Sequence, residues 1–331
     1  MNPLLLLAIA ISFLATFFFT RKWIPVAKRV GLVGKDANKP SKPEVAEMGG
    51  VAVMAGILGG VLFYIGLNTF VLNQVEFNLV LLATISTIMI IAFVGIIDDI
   101  LGWKMGLSQL QKPLLTIPAA LPMMVINAGH SSIALPIIGD VNLGILYPLL
   151  FVPIGIIGAS NGFNMLAGYN GLETGMGIVI ISAISLVAYF TGSGSIAMIG
   201  AIAVAALVAF LFFNWYPAKV FPGNTFTYMI GAIIGSLAIL ANVEKLAIVL
   251  FIPYFIDFAL KARSRMKAET FAKVNPDGSL EKPYNKIYSV THLMIIVLAK
   301  MKRKVYEKEV VALILAIEVI FALLGIALYL W

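Results

Sequence analysis

The sequence predicts an all-α fold, a polytopic membrane helix bundle of about ten transmembrane helices, built as one integral-membrane domain over residues 1–331. Two observations set that class. Of the 331 residues, 61% are hydrophobic and only 12% are charged, where a soluble domain carries roughly 25% charged residues. Mean hydropathy is correspondingly high, at +1.00. The apolar residues also fall in runs close to the roughly 20 residues that carry a helix through about 30 Å of hydrocarbon.

The runs, in order, are Pro3–Thr20, Gly49–Leu67, Leu79–Ile97, Leu110–Ala128, Leu143–Ala159, Gly175–Thr191, Ser195–Phe213, Thr225–Ala241, Lys245–Leu260 and Val310–Trp331. The first has no basic region before it and no small-residue cleavage site after it, so it reads as a retained helix rather than a signal peptide. Several runs contain Gly or Pro, which neighbours in a bundle tolerate. Leu293–Ala299 is too short to cross; followed by Lys300, Lys302, Arg303 and Lys304, it is expected to lie in the interface. No internal repeat of the kind that marks many transporters is present.

Charge gives the orientation. The connecting segments at about 21–48, 98–109, 160–174, 214–224 and 261–309, with the span ends beside them, hold 22 of the 23 Lys and Arg; Lys245 alone falls opposite. The positive-inside rule puts these loops in the cytoplasm, and an even number of spans then puts both termini outside. The expected location is a cell membrane or one of the endoplasmic-reticulum type. The net charge of +7 points to membrane lipid and phosphorylated substrates as partners, and not to nucleic acid. Cysteine is absent, which excludes disulfides, zinc–thiolate sites and thiol chemistry.

Four of the cytoplasmic loops are richer in chemistry than connectors need to be. Gly95-Ile96-Ile97-Asp98-Asp99 places two adjacent carboxylates at a membrane surface. Either they are a solvated helix end, or they share a divalent cation such as Mg²⁺, which takes one or two carboxylates plus phosphate oxygens. Asn161 to Glu173 packs three Asn, three Gly and one Glu between apolar helices. Amides can serve a metal or a base edge, and Gly admits a ligand close to the backbone; an ordinary Asn/Gly turn is the bland reading. Asn214 to Thr225 offers Lys219, aromatic rings and Asn224, with Trp215 and Tyr216 explained as interfacial anchors. Lys261-Ala262-Arg263-Ser264-Arg265 opens the long basic loop; Arg suits bidentate phosphate recognition, whereas most of that loop's charge is accounted for by topology.

Taken in order, these loops resemble those of the polyprenyl-phosphate N-acetylhexosamine-1-phosphate transferases. The asparagine loop reads Asn-x-x-Asn-x-x-Ala-Gly-x-Asn-Gly-x-Glu, similar to the archaeal and eukaryotic UDP-GlcNAc:dolichyl-phosphate branch; the bacterial phospho-MurNAc-pentapeptide translocases carry Asp-Gly-x-Asp-Gly there and a His-rich motif that is missing here. Lys35-Asp36-Ala37-Asn38-Lys39 and Glu47-Met48-Gly49-Gly50-Val51 resemble that branch's first loop. The resemblance implies catalytic roles for Asp98, Asp99 and Lys112. It implies metal ligation by Asn164, Asn224, Asp98 and Asp99, with Mg²⁺ as the ion and Mn²⁺ as an admissible substitute. Asn170 and Phe221 would hold the uracil, and Arg263 and Arg265 the pyrophosphate and sugar; Asn161, Glu173, Glu47 and Asp257 would complete the substrate site. One departure stands out: the family's third loop usually ends in Gly-Asp-Thr, and here Asn224 replaces the Asp.

The implied reaction moves GlcNAc-1-phosphate from UDP-GlcNAc to a polyprenyl phosphate of the dolichyl type, giving polyprenyl-diphosphate-GlcNAc and UMP. That is the first step of lipid-linked oligosaccharide assembly for protein glycosylation. A homodimer is compatible with the sequence. The alternatives are a relative acting on UDP-MurNAc-pentapeptide or another UDP-hexosamine, a lipid-sugar transporter, for which Glu318 is the clearest mid-span carboxylate, and a noncatalytic scaffold.

Overall fold

A computed structural model describes residues 4–105, 111–135 and 139–330. In chain order the elements are α1 (Leu4–Arg29), β1 (Val33–Lys35), β2 (Glu44–Ala46), α2 (Gly50–Phe70), α3 (Asn78–Met105), α4 (Gln111–Thr116), α5 (Leu121–Val125), β3 (Ser132–Leu135), β4 (Gly139–Asn142), α6 (Val152–Phe163), α7 (Leu172–Phe190), α8 (Gly194–Asn214), α9 (Gly223–Leu240), α10 (Glu244–Leu250), α11 (Ile252–Ala262), β5 (Lys273–Val274), β6 (Leu280–Glu281), α12 (Val290–Met301) and α13 (Glu307–Leu330). Among the described residues, seven of these helices are long and apolar enough to cross a membrane: α1, α2, α3, α7, α8, α9 and α13. The chain is an integral membrane protein, predominantly helical, as its composition predicts.

The other three predicted spans are helical but interrupted. Leu110–Ala128 becomes α4, a 3-10 turn over Ile117–Ala120 and α5, with Pro113, Pro118 and Pro122 along it; Leu110 itself lies outside the described residues. Proline removes a backbone donor and clashes with the preceding turn, so a run of three breaks regular helix. Leu143–Ala159 enters α6 through a π turn, Tyr147–Phe151, and Lys245–Leu260 divides into α10 and α11 just before Pro253. Three two-stranded antiparallel hairpins, β1–β2, β3–β4 and β5–β6, add a small β content that apolar periodicity does not reveal.

The least apolar of the seven long helices is the most buried. Every residue of α9 from Thr225 through Ile239 is buried, with α6 and α3 packed most extensively against it and α2, α7, α8 and α10 around them. Lipid-facing helices need an apolar exterior, whereas a central helix needs small side chains that let backbones approach. α1 packs along α2 and α8, so the first apolar run is part of the bundle. α12 is a helix of 12 residues, short as the sequence predicts.

Candidate active site

Helix ends build the site. Asp98 and Asp99 lie in α3 just before Gly102, where a φ of 63° takes the backbone out of the helix. One turn earlier, a Cβ on Gly95 would lie 2.5 Å from Thr225 Cα. Only a glycine allows this contact, so α3 touches α9 backbone to backbone and delivers the aspartates to its N-terminus. Asp99 caps that end. Its Oδ1 accepts the Asn224 N–H at 2.6 Å, and its Oδ2 accepts the Thr225 N–H at 2.9 Å and the Thr225 hydroxyl at 2.6 Å. The first N–H groups of any helix lack partners within it, and the residue in the N-cap position of α9 is Pro222, which has no side-chain acceptor. Asp99 serves from the neighbouring helix instead.

Asp98 has other partners. Its Oδ2 lies 3.0 Å from Lys112 Nζ on α4 and accepts the Tyr228 hydroxyl at 3.2 Å. The Lys112 ammonium also lies 5.9 Å from the centre of the Tyr228 ring. Asn164 follows the last residue of α6, and its Oδ1 accepts the Thr227 hydroxyl of α9 at 2.7 Å. At the start of α7, Glu173 Oε1 accepts the Gly168 N–H at 2.8 Å, which folds the asparagine loop back on itself.

The first and third loops are sewn together through their backbones. Ala46, at the end of β2, pairs in parallel with Val220. Phe221 N–H donates to Ala46 O at 2.7 Å, Gly49 N–H to Phe221 O at 2.9 Å and Gly50 N–H to Pro222 O at 2.9 Å. Glu47 and Phe221 therefore sit on one rim. Burial, and then the nearby Asp99 charge, push the Glu47 carboxyl above its ordinary pKa.

These ends enclose a cavity of about 510 Å³. Eight of the thirteen residues named from the sequence line it: Glu47, Asp98, Asp99, Lys112, Asn164, Glu173, Phe221 and Asn224. The other five do not. Asn161 donates its amide to Thr116 Oγ1 at 3.1 Å and to Ile157 O at 2.9 Å. Asn170 is buried, with both ends of its amide bonded to protein. Asp257 is fully buried: its Oδ1 accepts the Ser289 hydroxyl at 2.7 Å and the Val290 N–H at 2.8 Å, while its Oδ2 pairs with Lys261 at 2.9 Å. Lys261 in turn donates to Met165 O, so this pair braces the asparagine loop from behind. Arg263 and Arg265 are exposed beyond the end of α11.

The lining also includes residues given no role from the sequence, among them Lys35, Asp36, Asn214, Thr227 and Phe271. Lys35 and Asp36 lie in the first-loop segment that carries the family resemblance, and Asn214 opens the third loop, so the sequence points to their neighbourhoods though not to the residues themselves. Phe271 had no local signal. It comes from the long basic loop, whose path follows from tertiary contacts alone.

A model of the family described as Glycosyl transferase family 4 matches residues 80–242. A protein of Dictyostelium discoideum named UDP-N-acetylglucosamine--dolichyl-phosphate N-acetylglucosaminephosphotransferase is 27% identical over 290 residues, covering 72% of this chain and 68% of that one. A protein of Saccharolobus solfataricus, whose name gives the same activity as provisional, is 39% identical over 330 residues, 98% of this chain and 96% of its own. The chain belongs to glycosyl transferase family 4. A phospho-N-acetylmuramoyl-pentapeptide-transferase of Halalkalibacterium halodurans is 30% identical over 264 residues, 76% of this chain and 79% of that one. As a glycosyl transferase family 4 member, the chain is a glycosyl-1-phosphate transferase, in agreement with the resemblance carried by its loops.

Among the described residues, no group of three or more His, Asp and Glu side chains gathers as a ready-made metal site. The cavity of this glycosyl transferase family 4 chain holds a mixed oxygen set instead, from Asp98, Asp99, Asn164 and Asn224. Such a set fits a hard divalent ion that completes its shell with phosphate oxygens and water. Asp99 has already committed both oxygens to α9, which leaves it the smaller share of any metal.

Gly223 holds this corner open. Its φ is +76°, and a Cβ there would lie 2.7 Å from Asp99 Oδ2. Gly223→Ala is expected to cost about 1–3 kcal/mol, from the strained backbone and the displaced cap. Thermal unfolding in detergent measures this directly.

Proposed function

We propose that this protein transfers GlcNAc-1-phosphate from UDP-GlcNAc to a polyprenyl phosphate of the dolichyl type, at the cytoplasmic face of a membrane. The observation that carries the reading is the convergence on one cavity of Asp98 and Lys112, from consecutive helices, with Asn164 and Phe221, from two loops distant in sequence. The names of the archaeal and Dictyostelium relatives support the substrates. The concentration of basic residues in one set of loops supports the sidedness, with ten crossings counting the three interrupted segments, one domain and both termini outside.

In this reaction an oxygen of the lipid phosphate attacks the phosphorus that bears the sugar; the bond from that phosphorus to the bridging oxygen breaks, and UMP leaves with the electron pair. The nucleophile needs little help from a base, because the second pKa of a phosphate monoester is about 6. Catalysis is then mainly positioning and charge neutralisation. Lys112 neutralises phosphate charge and is itself held by Asp98 at 3.0 Å. Asp99 fixes the N-terminus of α9, and with it Asn224 and Thr227. Phe221 offers a face for the uracil, and Glu47 and Glu173 border the sugar and ribose. Asp98, Asn164 and Asn224, with Asp99 in support, would hold a Mg²⁺ or Mn²⁺ ion, which supplies Lewis-acid neutralisation of the diphosphate. Asn161, Asn170 and Asp257 shape the loops from behind. Contact of Arg263 and Arg265 with the phosphates requires the turn after α11 to swing toward the cavity.

The test is UMP release by purified protein. UDP-GlcNAc with dolichyl phosphate is expected to give UMP and a lipid-linked GlcNAc diphosphate; EDTA is expected to abolish release and Mg²⁺ to restore it. Release with UDP-MurNAc-pentapeptide alone would move the protein to the other branch. No release with any UDP-hexosamine would reject the transferase reading.

A further inference from the structure

Behind the cavity, four segments distant in sequence meet around one ammonium group. Lys39 Nζ pairs with Asp36 Oδ2 at 3.2 Å and with Glu307 Oε2, and it lies 4.2 Å from the centre of the Tyr216 ring. Glu307 is the first residue of α13. Its Oε1 accepts the backbone N–H of Asn170 at 2.7 Å. The Asn170 side chain donates to Asp36 Oδ2 at 3.1 Å and accepts the Ala218 N–H at 2.7 Å. Beside it, Asn38 donates to Gly168 O at 3.1 Å and accepts the Ala272 N–H at 3.2 Å. Asp36, Asn38, Asn170 and Glu307 are each at most 4% exposed.

A buried ionic cluster is a poor way to gain stability, because desolvation offsets much of the attraction, and packed apolar residues often serve as well. What such a cluster does supply is geometry. Apart from the Lys39–Asp36 pair within the first loop, its bonds tie one segment to another: first loop to asparagine loop, asparagine loop to third loop, and the first and asparagine loops to the last helix. Asp36, Ala37, Gly168 and Tyr169, from two of these loops, line the cavity, and Phe221 follows three residues after Ala218 in the third. Asp98 and Lys112, by contrast, come from α3 and α4; among the described residues, the cluster's bonds run to the first, asparagine, third and basic loops and to α13.

We propose that Lys39, Asp36 and Glu307 form a clamp of positioning residues that sets affinity for the nucleotide part of the substrate, by holding Asn170 and its loop against the first and third loops. The proposal rests on the transferase reading above. It predicts an asymmetry between the two substrates that a general loss of folding would not produce. Lys39→Met leaves Asp36 and Glu307 facing each other with no cation between them. The KM for UDP-GlcNAc is expected to rise roughly 10- to 100-fold, the equivalent of one lost buried charge-assisted contact, while the KM for polyprenyl phosphate and kcat change little. Glu307→Gln leaves one carboxylate for one ammonium and is expected to be milder. Lys39→Met combined with Glu307→Gln should be less impaired than Lys39→Met alone, because it relieves the facing charges. Lys39→Arg should recover part of the loss.

Steady-state kinetics with both substrates varied, together with UDP binding by calorimetry, decide the matter. Equal changes in both KM values, an unchanged UDP-GlcNAc KM in folded variants, or a double variant worse than Lys39→Met would overturn the clamp. If Lys39→Met does not fold, Glu307→Gln and Lys39→Arg carry the test, and an unchanged UDP-GlcNAc KM in both overturns it. If the wild-type protein binds UDP but releases no UMP, the transferase reading fails alone, and the UDP dissociation constants of the variants still judge the clamp. A folded wild-type protein that binds no UDP rejects both.

Discussion

Asp98→Asn is expected to lower UMP release by at least about 100-fold, the scale of removing one charged stabiliser from a transition state, and to leave thermal unfolding nearly unchanged. The reason lies in what Asp98 touches. Its carboxylate holds Lys112 at 3.0 Å and accepts the Tyr228 hydroxyl at 3.2 Å, and though buried it lines the wall of the cavity. An asparagine keeps an acceptor for the hydroxyl, and the Lys112 side chain, 19% exposed, can turn toward water. The charge that holds the Lys112 ammonium is lost, and with it, on the proposed reading, the charged ligand that a divalent ion would use. Single-turnover UMP release and a detergent melt on the same preparation give the two readings. Near-wild-type turnover would remove Asp98 from the chemistry.

Asp99→Ala is expected to show the complementary pattern, losing stability and activity together. Its carboxylate accepts from two backbone N–H groups and one hydroxyl at the N-terminus of α9. Removing an acceptor that leaves buried donors unpaired costs about 2–4 kcal/mol over such a set. Activity falls as well, because Asn224 and Thr227 ride on the first turn of the same helix. Asp99→Asn should lie between, since an amide oxygen can satisfy one donor while its NH₂ group opposes another. A melt unchanged by Asp99→Ala, or one lowered more by Asp98→Asn, would reverse this division between adjacent carboxylates.

Neighbours of identical type with different work mark the limit of what the sequence reveals. Asp98 and Asp99 were recognisable as a pair, through two carboxylates at a membrane-surface helix end. Their division depends on Gly95 bringing α3 against Thr225, a contact between residues 130 positions apart that no local pattern encodes. The membrane class and the long helices α2, α3, α7 and α8 were legible because lipid demands continuous apolar runs. The proline-broken segments were harder, since apolar composition persists while the helix does not. α9 is buried among other helices and needs less apolar character, so its weak signal reflects its central place. Asn170 was visible as a polar residue in the asparagine loop and Asp257 as a carboxylate near the end of an apolar span. Whether such a side chain meets a ligand or braces the loop that does depends on which way the backbone turns it, and the sequence does not carry that direction.

The backbone bonds between Ala46, Gly49 and Gly50 on one side and Phe221 and Pro222 on the other make the first and third loops a single inheritance. Grafting either loop alone from a relative with another nucleotide-sugar preference would place foreign spacing against a ladder that tolerates no slip. Transferring both together would carry the rim intact, so changes of donor preference in this fold are expected to come as paired replacements, two stretches of chain separated by some 170 positions but altered as one.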